Sequence, residues 1–284
     1  MFSLSDTVER ARQKAARVVF PEWEAPRIVE ARARLEGEGI CTPVSPDEAD
    51  ADALAQTLIE TRGVKAGIAG RMLARPMIKG AALVQAGLAD VMVAGVETPT
   101  RRVIEGASLA IGLEDDVAVA SSFSLMLFPD GTPMIFADCA VNVAPNAEEL
   151  AAIARTSVNS ATALLGEARA ALLSFSTGSS GSGESVDLVA KAAELSGLTG
   201  PIQADAALSP AIAARKGLGA GDANVLIFPS LDAGNIAYKL CQELAGAQAL
   251  GPFLQGFKKP VCDLSRGASV DDIVLATALT VARL

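Results

Sequence analysis

The 284-residue chain contains no histidine. That absence removes Ser-His-Asp and Cys-His catalysis, imidazole-held zinc and every mechanism with a histidine base. Acid–base chemistry is left to carboxylates, lysine, cysteine and a single tyrosine. The four cysteines (Cys41, Cys139, Cys241 and Cys262) lie far apart with no CxxC pair. They read as reduced thiols of a cytoplasmic protein. No apolar run approaches the roughly 18 residues that span a bilayer. The opening MFSLSDTVERARQKAARVVF has early acids and no apolar region ending in a small-residue cleavage site, so it does not read as a signal peptide. A basic surplus is missing too. The formal charge of −9 argues against a nucleic-acid partner, because nothing replaces phosphate counterions. Local basic pockets for an anionic small molecule stay open. There is no internal repeat and no low-complexity linker.

Half of the residues are hydrophobic and 20% are charged, enough for a sizeable core in one large or two modest domains. Strand-like and helix-like segments alternate. RVVFP (17–21) and DVMVAG (90–95) are β-rich, with a helical stretch around Lys79–Ala86 before the second. Residues 119–128 and 132–141 flank PDG and predict a hairpin. Asn146 followed by Glu149 predicts a capped helix start. A buried strand is expected over 168–176, a glycine-closed helix over 184–197, a strand over 223–229 and a helix over 234–250. SVDDIVLATALTVARL is apolar on nearly every face after its first turn and should be buried in the core or in a subunit interface. Such alternation implies a mostly parallel sheet covered by helices, with ligands beyond the carboxyl ends of the strands.

Four segments have the composition to carry chemistry. SFSTGSSGSGES (174–185) joins a strand to a helix and reads either as a flexible Ser/Gly loop or as an anion cradle at a helix N-terminus. It is neither a Walker A sequence nor a GxGxxG fingerprint. In IFADCAVNVAP, Asp138 suits a turn cap, and Cys139 reads first as a small buried hydrophobe, because nothing nearby lowers its pKa. In FPSLDAGNIAYK, Asn235 is either a ligand contact or an N-cap. In CDLSRGASVDDI (262–273), Ser269 and Asp272 have the spacing of a capping box. Beside them, Ser265, Arg266 and Asp272 could form an acyl-transfer site without histidine.

Taken together, VVFPE (18–22), FADCAVN (136–142), SFSTGSSGSG (174–183), QADAAL (203–208), VLIFPSLDAGNIAYKL (225–240) and LQGFKKPVCDLSRGASVDDIV (254–274) resemble the phosphate acetyltransferases and their butyryl relatives. The segments fall in the family's order and are densest over 121–284. The resemblance implies α/β architecture: two three-layer α/β domains with a cleft between them, as in isocitrate and isopropylmalate dehydrogenases. The expected domains are 1–122 plus 253–284, and 123–252. It further implies reversible acyl transfer between acyl-CoA, acetyl-CoA foremost, and phosphate. No cofactor or metal is expected, with coenzyme A as substrate, in a cytoplasmic homodimer that binds neither membrane nor nucleic acid. Asp272 would take the thiol proton, Arg266 would stabilise the oxyanion and Ser265 would hydrogen-bond the reacting group. The binding set is Ser176, Thr177, Gly178, Ser179, Ser180, Gly181, Asn235 and Cys139.

The chain also departs from the family pattern. AGVETPTRRVIEGAS (94–108) places Thr98 where the family has a histidine and Glu105 where it has an arginine. Val119, Glu243 and Asp222 stand at three further arginine positions. Losing cations weakens anion binding by roughly 1.5–3 kcal/mol per charge-assisted bond. Arg62, Arg101 and Arg102 are the candidates to compensate. The alternative reading is a divergent, non-catalytic CoA- or phosphate-binding protein of the same fold. A decarboxylating dehydrogenase is disfavoured by the lack of a dinucleotide fingerprint and of a carboxylate cluster.

Overall fold

The computed structural model describes residues 2–217 and 220–284. Its strands, in chain order, are β1 (Arg17–Val19), β2 (Thr42–Val44), β3 (Val91–Ala94), β4 (Ser121–Leu127), β5 (Pro133–Ala137), β6 (Ala170–Leu173), β7 (Thr199–Ile202), β8 (Val225–Ile227), β9 (Gln248–Gln255) and β10 (Val261–Asp263). The helices are α1 (Leu4–Lys14), α2 (Pro26–Gly37), α3 (Ala51–Arg62), α4 (Ala66–Leu73), α5 (Pro76–Gln85), α6 (Thr100–Ala110), α7 (Ala147–Leu165), α8 (Glu184–Ser196), α9 (Ala204–Leu208), α10 (Pro210–Lys216), α11 (Leu231–Ala245) and α12 (Val270–Val281). They form two compact units: an outer one, Phe2–Asp115 with Gly251–Leu284, and an inserted one, Asp116–Leu250.

In the outer unit the strand order is β2-β1-β3-β10-β9. Pairing is parallel from β2 through β10 and antiparallel between β10 and β9. The short strand Thr42–Val44 lies parallel to β1. β3 is buried along its whole length, as expected of a strand covered on both faces. The terminal segment forms α12, which packs on α1 and α2 and buries Ile273, Val274, Leu279 and Val281 among others. Each such side chain stabilises by about 1.5–3 kcal/mol before conformational entropy is counted. From β1 the chain runs to β2 on one side and then returns to β3 on the other. The carboxyl ends of β1 and β3 therefore border a topological switch point, where open α/β sheets bind ligands.

The inserted unit orders its strands β4-β5-β8-β6-β7. The hairpin β4–β5 is antiparallel, with Phe123 opposite Ala137 and Leu127 opposite Pro133. The remaining pairs are parallel. Asn146 and Glu149 make a full capping box at the start of α7. Phe136 and Phe228 meet at 5.2 Å between ring centroids inside the core.

Two expectations about the segment after Phe228 are corrected. Helix α11 begins three residues earlier than expected, at Leu231, because Ser230 is its N-cap and accepts from Ala233 N at 3.3 Å. It ends at Ala245, where Gly246 turns left-handed with φ 64°. Residues 248–250, expected in that helix, instead open β9. AQAL has helix-forming composition, but strand pairing overrides weak local propensity.

Candidate active site

In the outer unit, three loops follow the carboxyl ends of β1, β3 and β10, and one carboxylate organises the first two. Glu22, just after β1, accepts from the backbone N–H groups of Gly95 (2.7 Å), Val96 (3.0 Å), Glu97 (2.8 Å) and Thr98 (2.7 Å). Arg27, in the first turn of α2, links the β3 loop to the β10 loop. It donates to Val96 O (3.0 Å), Arg266 O (3.0 Å) and Ala268 O (2.6 Å). A third tie is Asp263, the last residue of β10, whose Oδ2 accepts from Thr100 Oγ1 at 2.6 Å. Gly95 passes so close, with φ 106°, that a Cβ there would collide with Asp263 Oδ1.

Beyond Asp263 the chain makes the turn that carries the three catalytic candidates. Ser265 Oγ accepts from Gly267 N at 3.2 Å, and Ser265 O accepts from Ala268 N at 2.9 Å. Ser265 and Arg266 are exposed, and Asp272 is partly exposed in the first turn of α12. The capping box forms: Ser269 Oγ accepts from Asp272 N at 3.1 Å. Asp272 Oδ2 in turn accepts from Ser269 N at 3.0 Å and Ser269 Oγ at 2.7 Å. A carboxylate at that position is favoured by the helix dipole. Its neighbour Asp271 pairs with Arg34 at 2.5 Å.

The same unit holds a cavity of about 700 Å³ at the switch point. Pro21, Trp23, Pro46, Leu73 and Met77 give it apolar walls; Arg75, Lys79 and Arg102 face Glu22, Glu24, Asp47 and Glu97 around it, and Lys79 pairs with Asp47 at 2.6 Å. The N-termini of α2, α5 and α6 lie at this cavity, and none has a side-chain cap. Glu105 is held by Arg75 at 2.5 Å and Arg102 at 2.8 Å. Hydrogen bonds from Arg75 first and then Arg102 draw its carboxyl down to about 2. Of the three arginines considered as substitutes, Arg102 thus reaches the altered segment's own glutamate. Arg62 instead serves the carbonyls of Ser108 and Leu109, and Arg101 is exposed. Arg75, invisible to the sequence argument, completes the cluster.

In the inserted unit the loop after β6 is built from its own hydroxyls. Ser176, 1% exposed, accepts from Gly181 N at 2.8 Å and lies 3.2 Å from Ser180 Oγ. Ser180 Oγ also accepts from Thr177 N at 3.0 Å, and Thr177 Oγ1 accepts from Gln203 N at 3.1 Å. Ser176 and Thr177 therefore shape the loop, while Gly178, Ser179 and Ser180 form its exposed tip. Gly183, the N-cap of α8, brings no side-chain cap.

Asp138, at the end of β5, collects five donors. They are Ser122 Oγ, Ala140 N (3.0 Å), Val141 N (3.2 Å), Asn142 N (2.9 Å) and Asn142 Nδ2 (2.6 Å). The Ala137–Asp138 peptide is cis. The next residue, Cys139, is 1% exposed among Met126, Phe136 and Phe228. Burial, and then the charge of Asp138, push its thiol far up. The Cys139 side chain is thus part of the core. Its carbonyl accepts from Asn235 Nδ2 at 3.1 Å. The N-cap alternative for Asn235 is excluded by Ser230. Gly234 lets α11 approach, since a Cβ there would strike Asp138 O.

Residues 44–281 match the family model described as Phosphate acetyl/butaryl transferase. The chain belongs to that family. A phosphate acetyltransferase of Thermoanaerobacterium thermosaccharolyticum is 38% identical, the match covering 99% of this chain and 98% of the relative. The phosphate acetyltransferase of Nitrosomonas europaea is 37% identical over 96% of this chain but 45% of its own length. The chain therefore spans nearly all of the first relative and about half of the second. Among solved structures, a phosphotransacetylase from Streptococcus pyogenes superposes with a TM-score of 0.91 at 34% identity, over 99% of this chain and 98% of its own. The EutD phosphotransacetylase from Staphylococcus aureus gives 0.89 at 32%, over 99% of both chains. The two-domain α/β fold of these phosphotransacetylases is the fold of this family member.

Proposed function

We propose that the protein interconverts acyl-CoA and phosphate with acyl phosphate and CoA, acetyl-CoA being the first substrate to test. The observation that carries this reading is the Ser265–Asp272 turn, in a chain that matches phosphate acetyltransferases almost from end to end. Towards acyl-CoA, Asp272 accepts the proton of the CoA thiol and the thiolate attacks the acyl phosphate carbonyl. The oxyanion develops beside Arg266 and Ser265, the C–O bond to phosphate breaks, and phosphate leaves. The reverse step breaks the C–S bond and returns the proton to sulfur. No metal or prosthetic group enters, and coenzyme A is a substrate. The tip of the 176–181 loop is assigned to the phosphate end.

Acyl phosphate formation from acetyl-, propionyl- and butyryl-CoA with phosphate tests the reading. Folded protein that turns over none of the three would leave the non-catalytic binding alternative.

The same proposal makes the protein a cytoplasmic homodimer whose domains are the two compact units. Four free cysteines support a reducing compartment, and no described helix is long and apolar enough to cross a membrane. Ile236, Leu240 and Leu244 recur every fourth residue on α11 at 58%, 51% and 81% exposure, an apolar stripe that suits a second copy. Leu244→Glu should shift sedimentation towards monomer; an unchanged value would remove α11 from the interface.

A further inference from the structure

Asp263 has no assigned role in the proposed reaction, yet it is buried as few carboxyl groups are. Its side chain is 0% exposed, and among the described residues Oδ1 has no hydrogen-bond partner. A buried, ionised carboxylate with one oxygen bare is costly, because neither water nor a donor replaces its hydration. The neutral acid fits the same geometry. It keeps the hydrogen bond from Thr100 Oγ1 to Oδ2 at 2.6 Å, and an uncharged carboxyl costs less to bury with Oδ1 bare against Gly95.

The surroundings point the same way. From the loop after β1, Glu22 sets a like charge against it. Thr100 on α6 and Gly95 after β3 are neutral. On its own strand, Cys262 has its thiol pushed up to about 12 by burial. Arg27 spends its bonds on the carbonyls of Val96, Arg266 and Ala268, and Arg266, in the same loops, is exposed to solvent. Arg283, at the end of α12, acts on Cys262. Burial, opposed by Thr100 and reinforced by Glu22, raises the Asp263 carboxyl to about 7.

Position makes this consequential. Asp263 immediately precedes Leu264, whose N–H donates to Ala94 O at 2.6 Å, and Ser265 and Arg266 follow at once. We infer that Asp263 is a positioning residue whose neutral form holds the turn bearing Ser265 and Arg266, and that its ionisation loosens this turn and lowers turnover. The turnover part rests on the proposed acyl transfer; the part concerning the turn stands on the geometry alone.

The test compares wild type, Asp263→Asn and Thr100→Val in the full chain on either side of pH 7. Asparagine keeps the shape and cannot ionise. Acyl phosphate formation is followed as kcat and KM separately, and tryptic cleavage after the exposed Arg266 is timed on the folded protein. For the wild type, kcat should fall and cleavage should quicken, several-fold each, as pH rises through about 7. Asp263→Asn should flatten both profiles, whatever its absolute rate. Thr100→Val, which removes the bond opposing the upward shift, should move both transitions to higher pH. Equal pH profiles in wild type and Asp263→Asn would overturn the inference. So would a folded Asp263→Asn protein inactive at every pH, which would mean that the charge itself is needed. If the wild type turns over no acyl-CoA, the proposed function fails, and the cleavage profiles alone decide whether Asp263 holds the turn.

Discussion

Asp138 in the inserted unit and Asp263 in the outer unit are 3% and 0% exposed, each at the carboxyl end of a strand. Asp138 accepts five hydrogen bonds from Ser122, the Ala140–Asn142 backbone and the Asn142 side chain. Asp263 accepts from Thr100 and, among the described residues, leaves one oxygen bare. Burial is the same; solvation by the protein is not. Where donors are plentiful, a buried carboxylate is a rigid hub on which a turn is built. Where they are scarce, the cheaper state carries the proton, and the site gains a sensitivity to pH.

The largest effect expected from breaking either side of this contrast is kinetic. Asp272→Asn, on the turn that Asp263 supports, should lower acyl phosphate formation by about 10²–10⁴-fold in steady-state assays. Its thermal stability should move little. A loss of about 0.5–2 kcal/mol with unchanged turnover would instead make Asp272 a helix cap and nothing more.

Next in size is Asp138→Ala. Five donors would lose their acceptor, three of them backbone N–H groups, and denaturant unfolding should show a loss of at least about 3 kcal/mol. Ser122→Ala leaves four donors in place and should cost about 1–2 kcal/mol.

Asp263→Asn should act on stability with a sign that depends on pH. The folded carboxyl is raised from 3.8 to about 7, so the folded state binds the proton more tightly than the unfolded chain. The stability this contributes is present below 3.8 and is lost as pH rises to about 7. The variant lacks that loss. Relative to wild type, it should gain stability across this window, on the order of 1–4 kcal/mol. Melting curves at several pH values check it, and a difference independent of pH would contradict a neutral Asp263.

The smallest effect concerns thiols. Burial raises all four thiols; Cys241 is partly exposed, whereas Cys139 and Cys262, like Cys41, are buried. A thiol reagent at neutral pH should label Cys241 first and leave the other three until the chain unfolds. Early labelling of Cys139 would show that the Asp138 turn opens.

Much of the fold was legible in the chain because its signals are local. Asn146 with Glu149 and Ser269 with Asp272 form capping boxes from residues three apart, and PDG closes the hairpin. The turn Ser265–Asp272 was legible as a candidate site for the same reason. The end of α11 was not, since AQAL suits a helix until pairing in β9 takes it. The side chain of Cys139 lies in the core, as a small buried hydrophobe would. Nothing in its neighbours' spacing separates a core thiol from a ligand contact.

By itself, then, the sequence determined the class of fold, the exclusion of histidine chemistry, the family and the turn on which acyl transfer is proposed. Tertiary structure alone decided what stands behind that turn. Glu22 meets four N–H groups more than seventy residues away in the chain. Arg27 reaches Arg266 and Ala268 across some 240 residues, and Arg75 meets Glu105 across a helix pair. Asp263 is an ordinary aspartate in any local window. Its bare oxygen and raised carboxyl exist only because β3, β10 and α6 close around it, and desolvation has no signature in sequence spacing.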